Sequence, residues 1–243
     1  MEPACGRNCS QCLQKLCTRS IPIFANLTHA QLKRISDLTA HRRWNRGETI
    51  CMEGHAADYV AIFNAGSAKA VRTGADGREQ ILYLFSEGDF FGERQLLTQQ
   101  PAAWTLVALE PVRLCLLSRE AFGTLLRENP DIALNVIGEL ERRLGRLENA
   151  LLGMGARRAE ARLAAVLSEF AASYGQPHPE GILIRMPLSR EGLASYVGMA
   201  RETVSRKLGQ FEDNGLLRSL DGRRMLLLAP ETIAAMALDA GSD

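Results

Sequence analysis

Between Ile21 and Phe122 the apolar residues come in short alternating runs, among them "YVAIFNAGSAKAVR", "EQILYLF" and "VRLCLLS". Gly47, Gly54, Gly66, Gly74, Gly77 and Gly88 punctuate these runs. A two-residue period broken by glycine turns predicts short antiparallel strands that close into a compact roll or barrel. The segment "TGADGREQ" reads as a hairpin tip, with Asp76 and Gly77 able to take the positive φ of a tight primed turn. Ahead of the roll, "NLTHAQLKRISDL" predicts a short helix opened by Asn26 or Thr28. Cys51, inside "ETICMEG", is expected to be a small buried residue on a strand.

After Pro130 the period changes. Ile137, Leu140, Leu144, Leu147, Leu151 and Met154 follow alternating steps of three and four. That spacing, about 3.5 residues per repeat, is the seam of a helix lying along a partner helix. The charged "ELERRLGRLE" supplies the other faces. A dimer seam accounts for the unbroken register; a helix turned toward its own core is the alternative. Gly153 and Gly155 then mark an expected hinge.

From Arg157 to Tyr174 the pattern is helical again, and "GILIRMP" is a strand candidate. Two short helical segments follow, "SREGLASYVG" and "ARETVSRKLGQFEDNGLL". "LLRSLDGRRMLLLAP" is expected to close the unit as a hairpin turning at Asp221 and Gly222. Helix, strand, two helices and a two-stranded ribbon make a winged helix-turn-helix. Such a pair of helices needs a small residue at the crossing, a turn glycine and apolar anchors. Ala194, Gly198 and the set Leu193, Val197, Val204 and Leu208 fill these places, and Ser189 can cap the first helix.

With Val204 and Leu208 facing inward, Arg201, Glu202, Ser205 and Arg206 fall on the opposite face. These types suit base edges in a major groove: Arg206 can pair with guanine, Glu202 can accept from cytosine, and Ser205 can adapt to either. Arg190, Lys207, Arg218, Arg223 and Arg224 are candidates for phosphate contacts, which hold register without reading sequence. Double-stranded DNA is the partner this chemistry predicts.

Composition narrows the setting without naming the function. The 243 residues are 46% hydrophobic and 23% charged, enough for one large or two modest domains. A net charge of +1 excludes a strongly basic protein as a whole, although a basic patch can be balanced elsewhere in the sum. The first thirty residues lack the uninterrupted apolar region of a signal peptide, no stretch reaches membrane-spanning length, and a cytoplasmic location is expected. In that compartment the tight group "CGRNCSQCLQKLC", residues 5–17, points to a metal or redox site before a disulfide framework.

The stretch "LSREGLASYVGMARETVSRKLGQFEDNGLL", following a heptad helix and a roll that contains "EGDFFGE", resembles the CRP/FNR transcription regulators over almost the whole chain. The resemblance implies an α+β fold: an N-terminal antiparallel β-roll like a cyclic-nucleotide-binding jelly roll (21–130), a long dimerisation helix (131–155) and a C-terminal winged helix-turn-helix (156–243). It further implies a homodimer on a palindromic DNA site, acting as an activator or repressor, with RNA polymerase as another partner. Half-sites would lie one helical turn, about 34–36 Å, apart.

The cyclic-nucleotide branch of the family holds phosphate with a Gly-Glu pair followed by an Arg-Ser pair. Here Gly92 and Glu93 are kept, but Pro101 and Ala102 stand where the Arg-Ser pair belongs, so Gly92 and Glu93 are expected to be a turn and a structural hydrogen bond. The oxygen-sensing FNR branch carries an N-terminal cysteine cluster plus one roll cysteine, together holding a [4Fe-4S] cluster. Cys9, Cys12 and Cys17 match the first, and Cys115 in "ALEPVRLCLLSREAF" matches the second. The gap from Cys12 to Cys17 holds four residues where better-known members often have five. Arg201 resembles the cyclic-nucleotide branch, and Ser205 the FNR branch. In that reading an intact cluster favours the dimer, oxygen oxidises it, and specific DNA affinity falls. Cys5 stays outside the ligand set.

Four thiolates can equally make a zinc site, and cysteines near Arg7, Lys15 and Arg19 could form a disulfide on oxidation. A cupin-like metalloenzyme would need histidines and carboxylates gathered on strands. The four histidines, His29, His41, His55 and His178, read instead as scattered over helix, loop and linker, and no hydrolase, phosphate-loop or zinc-protease motif occurs. Catalysis is not expected.

Overall fold

The computed structural model describes residues 21–238 except 25–26, 57, 76 and 157–158, and gives the backbone alone for 146 and 149–156. Cys5, Cys9, Cys12 and Cys17 lie outside the described residues. The chain divides into two compact units, one ending at Arg143 and the other beginning at Leu144.

The described residues of the first unit begin with a 3-10 turn, Pro22–Phe24, and α1 (His29–Asp37). Thr28 caps α1 in a box with Gln31, so each side chain satisfies an amide that the first turn cannot. Then come β1 (Thr39–Trp44), β2 (Thr49–Cys51), β3 (Tyr59–Ala65), β4 (Ala68–Thr73), β5 (Glu79–Phe85) and β6 (Phe90–Phe91). A short helix α2 (Glu93–Thr98) leads to β7 (Thr105–Ala108), β8 (Val112–Ser118), α3 (Arg119–Glu128) and the long α4 (Pro130–Ala156), whose residues from Leu144 on belong to the second unit. The strands form two four-stranded antiparallel sheets, β1-β8-β3-β6 and β2-β7-β4-β5, which make the expected roll. The tip of the β4-β5 hairpin is where the sequence places it, with Gly77 at φ 76°.

Alternation along β3 and β8 divides their side chains between two cores. Phe63, Leu114 and Leu116 point between the sheets and meet Phe85, Phe91, Leu106 and Trp104. Val60, Ile62 and Leu117 point outward and are covered by Ile21, Phe24, Ile35, Phe122, Ile132 and Val136. The inner core is aromatic: Phe63 stacks on Phe85 at 5.6 Å, and Phe85 meets Trp104 at 5.5 Å. Each such pair adds about 0.5–1.5 kcal/mol beyond area burial. Cys51 is buried as expected, and burial pushes its thiol pKa up.

In the second unit α5 (Ala159–Tyr174) is followed by β9 (Gly175–His178), β10 (Gly181–Arg185), α6 (Arg190–Val197) and α7 (Arg201–Asp213). β11 (Leu217–Asp221), β12 (Arg224–Leu227) and α8 (Pro230–Leu238) complete it. The wing is richer than a two-stranded ribbon, because β10 pairs with β12 and β9 with β10, giving the order β11-β12-β10-β9. The expected hairpin forms as β11-β12, and a further helix, α8, follows it and buries Ile233 and Ala237.

Two local expectations are corrected, and a third is refined. The α4 backbone stays helical through Gly153 and Gly155 to Ala156, so these glycines do not break it as a hinge would. The hairpin turns at Asp221 and Gly222 as expected, without a positive φ at the glycine. Instead the Asp221 carboxylate accepts from the amides of Arg223 at 2.8 Å and Arg224 at 2.7 Å, folding the tip through a side chain. His41 and His178 lie on β1 and β9, not in loop or linker.

Candidate functional site

The helix pair α6-α7 is set by the residues the sequence singles out. Ser189 Oγ accepts from the Gly192 amide at 3.1 Å, starting α6. Gly198 ends it at φ 71°, a left-handed conformation that favours glycine. Leu193, Ala194 and Val197 are buried on one side of the turn, and Val204, Leu208 and Phe211 on the other. Arg201, Glu202, Ser205 and Arg206 are all exposed on the outer face of α7. The sequence reading and the geometry therefore bring these four together.

The wing is tied to α6 and α7 by charge-assisted bonds. Glu212 Oε1 accepts from the Ser219 amide at 2.7 Å, and Arg190 donates to Ser219 Oγ at 2.9 Å. The bond to Ser219, more than the Arg190 charge, holds the Glu212 pKa below the usual carboxylate range. Arg224 pairs with Asp221 at 2.6 Å and Arg218 with Glu180 at 3.4 Å, both pairs largely exposed. Lys207 is ion-paired to Glu160 on α5 and only 19% exposed. Arg223 is exposed at the wing tip. Water screens exposed pairs of this kind, so Arg218 and Arg224 can exchange their carboxylates for phosphate at small cost.

On the roll, Cys115 stands half-buried in β8, opposite His41 of β1 and Ile62 of β3. It packs on the outer core that contains Ile21, the first described residue. Its Sγ lies 3.4 Å from His41 Nδ1, and the Asn64 amide donates to it at 3.7 Å. Burial lowers the His41 pKa. The sequence reading missed His41 as a neighbour of Cys115, because only the β1-β8 register brings residues so far apart together. Among the described residues no three His, Cys, Asp or Glu side chains converge as a metal site would need. The four ligands expected from the sequence, Cys9, Cys12, Cys17 and Cys115, are all thiols, the chemistry that iron–sulfur clusters take.

Gly92 and Glu93 occupy structural roles, as expected. Gly92, at φ 101°, caps α2, and a Cβ there would sit 2.3 Å from the Tyr59 carbonyl oxygen. Glu93 pairs with Arg143 of α4 at 3.3 Å, and Arg143 also pairs with Glu139 at 3.5 Å. The guanidinium donates to the Phe90 carbonyl oxygen at 2.6 Å and lies over the Phe90 and Phe85 rings at 4.7 and 5.4 Å. Burial raises the Glu93 pKa, and the Arg143 charge opposes but does not cancel that rise. Ala102 is braced by backbone bonds to His55 and Gly54 at 3.0 and 2.9 Å.

Helix α4 has two apolar faces. Ile132 and Val136 enter the outer core, with Leu140 packed partly against it. Leu134, Ile137 and Leu144 are 65%, 61% and 55% exposed, a stripe along the other side. Of the predicted seam, Ile137 and Leu144 thus face outward, Leu140 leans toward its own roll, Leu147 is half-buried, and the side chains of Leu151 and Met154 lie outside the described ones. Leu134 joins the exposed stripe without having been singled out in the sequence. Among the described residues no helix is long and apolar enough to cross a membrane.

Comparison with known proteins agrees with both units. A model of the cyclic nucleotide-binding domain matches residues 41–129, and one of the Crp-like helix-turn-helix domain matches residues 161–236. A CRP-like cAMP-activated global transcriptional regulator of Mycobacterium tuberculosis is 30% identical over 192 residues, 79% of this chain and 85% of the relative. The transcriptional activator protein FnrL of Cereibacter sphaeroides is 26% identical over 228 residues, 91% of this chain and 88% of the relative. Among solved structures, FixK2 from Bradyrhizobium japonicum superposes with a TM-score of 0.74 at 23% identity, over 84% of this chain and 99% of that one, a likeness of fold. These relatives are regulators, not enzymes. With its roll, its long helix and an exposed polar face on α7, the chain belongs to the CRP/FNR family of DNA-binding transcription regulators.

Proposed function

We propose that this regulator is a homodimer that senses oxygen, and so anaerobiosis, through an N-terminal [4Fe-4S] cluster held by Cys9, Cys12, Cys17 and Cys115. The observation that carries the reading is the place of Cys115. It is half-buried on the same outer core that receives Ile21. Cys17 precedes Ile21 by four residues, a reach of at most about 14 Å. Three thiols from the N-terminal segment and one from a firm strand are a suitable set, and the bound cluster supplies a redox-active core whose state oxygen changes.

The roll interior supports the same reading. Aromatic side chains fill the space between the sheets, and Arg143 engages the Glu93 carboxylate that a cyclic nucleotide would need. With Pro101 and Ala102 in place of a phosphate-binding pair, a signal from the cysteine segment is favoured over a nucleotide in the roll.

In this reading the boundaries are 1–20 for the cysteine segment, 21–130 for the roll, 131–155 for the dimer helix and 156–243 for the winged helix. Arg201, Glu202, Ser205 and Arg206 read base edges, while Arg190, Arg218, Arg223 and Arg224 hold phosphates; Lys207 joins them by leaving Glu160. The seam Ile137, Leu140, Leu144, Leu147, Leu151 and Met154 pairs two copies so that their α7 helices address a palindrome in double-stranded DNA. RNA polymerase is the further partner, and the cytoplasm the setting. Iron and acid-labile sulfide analysis of anaerobically purified protein tests the account. Near-stoichiometric iron and sulfide in the wild type, lost in Cys115→Ser, is the expected result; stoichiometric zinc, or a metal-free protein, overturns it.

A further inference from the structure

The sheet face around Cys115 is assembled from three strands. β8 contributes Arg113, Cys115 and Leu117; β1 sets Arg43 opposite Arg113 and His41 opposite Cys115; β3 sets Ile62 opposite Cys115. Because side chains alternate along a strand, these residues share one face. Two polar groups converge on the sulfur there: His41 Nδ1 at 3.4 Å and the Asn64 amide at 3.7 Å. A thiolate is an acceptor only, so toward a deprotonated Cys115 both groups must donate. Arg43 and Arg113 are exposed and directly opposed, an arrangement that like charges make unfavourable and that an anionic group on this face would offset.

We propose that His41, assisted by Asn64, is a positioning residue for Cys115: it donates to the ligand sulfur and sets how readily the group bound there is oxidised. This rests on the ligand role of Cys115 proposed above. A hydrogen bond to a ligand sulfur withdraws electron density, stabilises the more reduced state and raises the reduction potential. Loss of the donor therefore makes oxidation easier. The imidazole also limits the directions in which the sulfur can point, because it stands on a paired strand and not in a loop.

The test compares anaerobically loaded wild type, His41→Ala and His41→Asn. Three quantities are read: iron and sulfide content, midpoint potential, and the rate at which visible absorbance is lost in air. The inference predicts that His41→Ala retains iron, has a lower potential and loses its absorbance roughly tenfold faster. His41→Asn, whose side-chain amide reaches toward the place of Nδ1, should recover both properties. If His41→Ala does not load iron, His41→Leu, which keeps bulk without a donor, replaces it in the comparison. A donor-free variant with wild-type potential and bleaching rate overturns the inference, as does an Asn variant shifted as far as the Ala variant. A wild type devoid of iron and sulfide refutes the cluster itself, a failure distinct from that of His41.

Discussion

The Arg143 guanidinium lies 4.7 Å from the centre of the Phe90 ring and donates to the Phe90 carbonyl oxygen at 2.6 Å. A residue of the long helix is thereby anchored in the mouth of the roll, with Glu93 and Glu139 as its counter-charges.

Removing that anchor leaves the buried Glu93 carboxyl without its cation, whereas Glu139 keeps Arg142. Arg143→Met is expected to cost about 3–5 kcal/mol, because the desolvated Glu93 charge loses its compensation. Glu93 already has a raised pKa from burial, with Arg143 opposing the rise, so the variant raises it further. A carboxyl with a raised folded-state pKa gives stability that is full below its unfolded value and is lost as pH rises through the folded value. The deficit of Arg143→Met should therefore be smaller at pH about 5 than at pH about 8. Denaturant midpoints of both proteins at the two pH values check this, and Glu93→Gln added to Arg143→Met should recover part of the loss.

Gly92 cannot be replaced quietly. Its φ is 101°, and the Cβ of an alanine would come within 2.3 Å of the Tyr59 carbonyl oxygen, so Gly92→Ala combines backbone strain with a clash against backbone. A loss of roughly 2–4 kcal/mol is expected, summing strain and overpacking. Thermal unfolding measures it, and unchanged stability would mean that the β6-α2 turn relaxes freely.

Base reading and phosphate holding separate in the salt dependence of binding. Arg206→Ala should lose about 1–3 kcal/mol of discrimination at one guanine in each half-site. Arg218→Ala should weaken all sequences alike and reduce the salt slope by about one. Gel shifts on a set of single-base variants, repeated at several salt concentrations, distinguish the two.

The exposed stripe on α4 gives a prediction about assembly. Ile137 and Leu144 are 61% and 55% exposed in one copy, so charge there should leave the roll intact and break the pair. Ile137→Glu with Leu144→Glu is expected to sediment as a monomer with native circular dichroism and weakened operator binding. A dimer of unchanged mass would move the interface elsewhere.

The parts legible in the sequence were those governed by local rules. The period shift after Pro130, the Thr28 cap, the glycine turn at Gly198 and the polar face of α7 each depend on neighbours a few residues apart. Long-range register was not legible. Nothing within "TAHRRW" announces β1, which buries no residue fully and is a strand through its pairing with β8, and so the sequence does not place His41 beside Cys115. Arg143 read as one charge on an amphipathic helix, but its aliphatic stem and guanidinium fill a site made by Phe85, Phe90 and Glu93. Asp221 and Gly222 gave the right turn for another reason, since the carboxylate and not a left-handed glycine closes it.

The most direct measurement follows one anaerobic sample on a palindromic operator before and after admission of air, with iron content and DNA affinity read together. The account predicts iron-loaded protein that binds the operator tightly without oxygen, and a loss of specific affinity in step with the loss of visible absorbance. Equal affinity before and after, or tight binding by protein that never held iron, contradicts it.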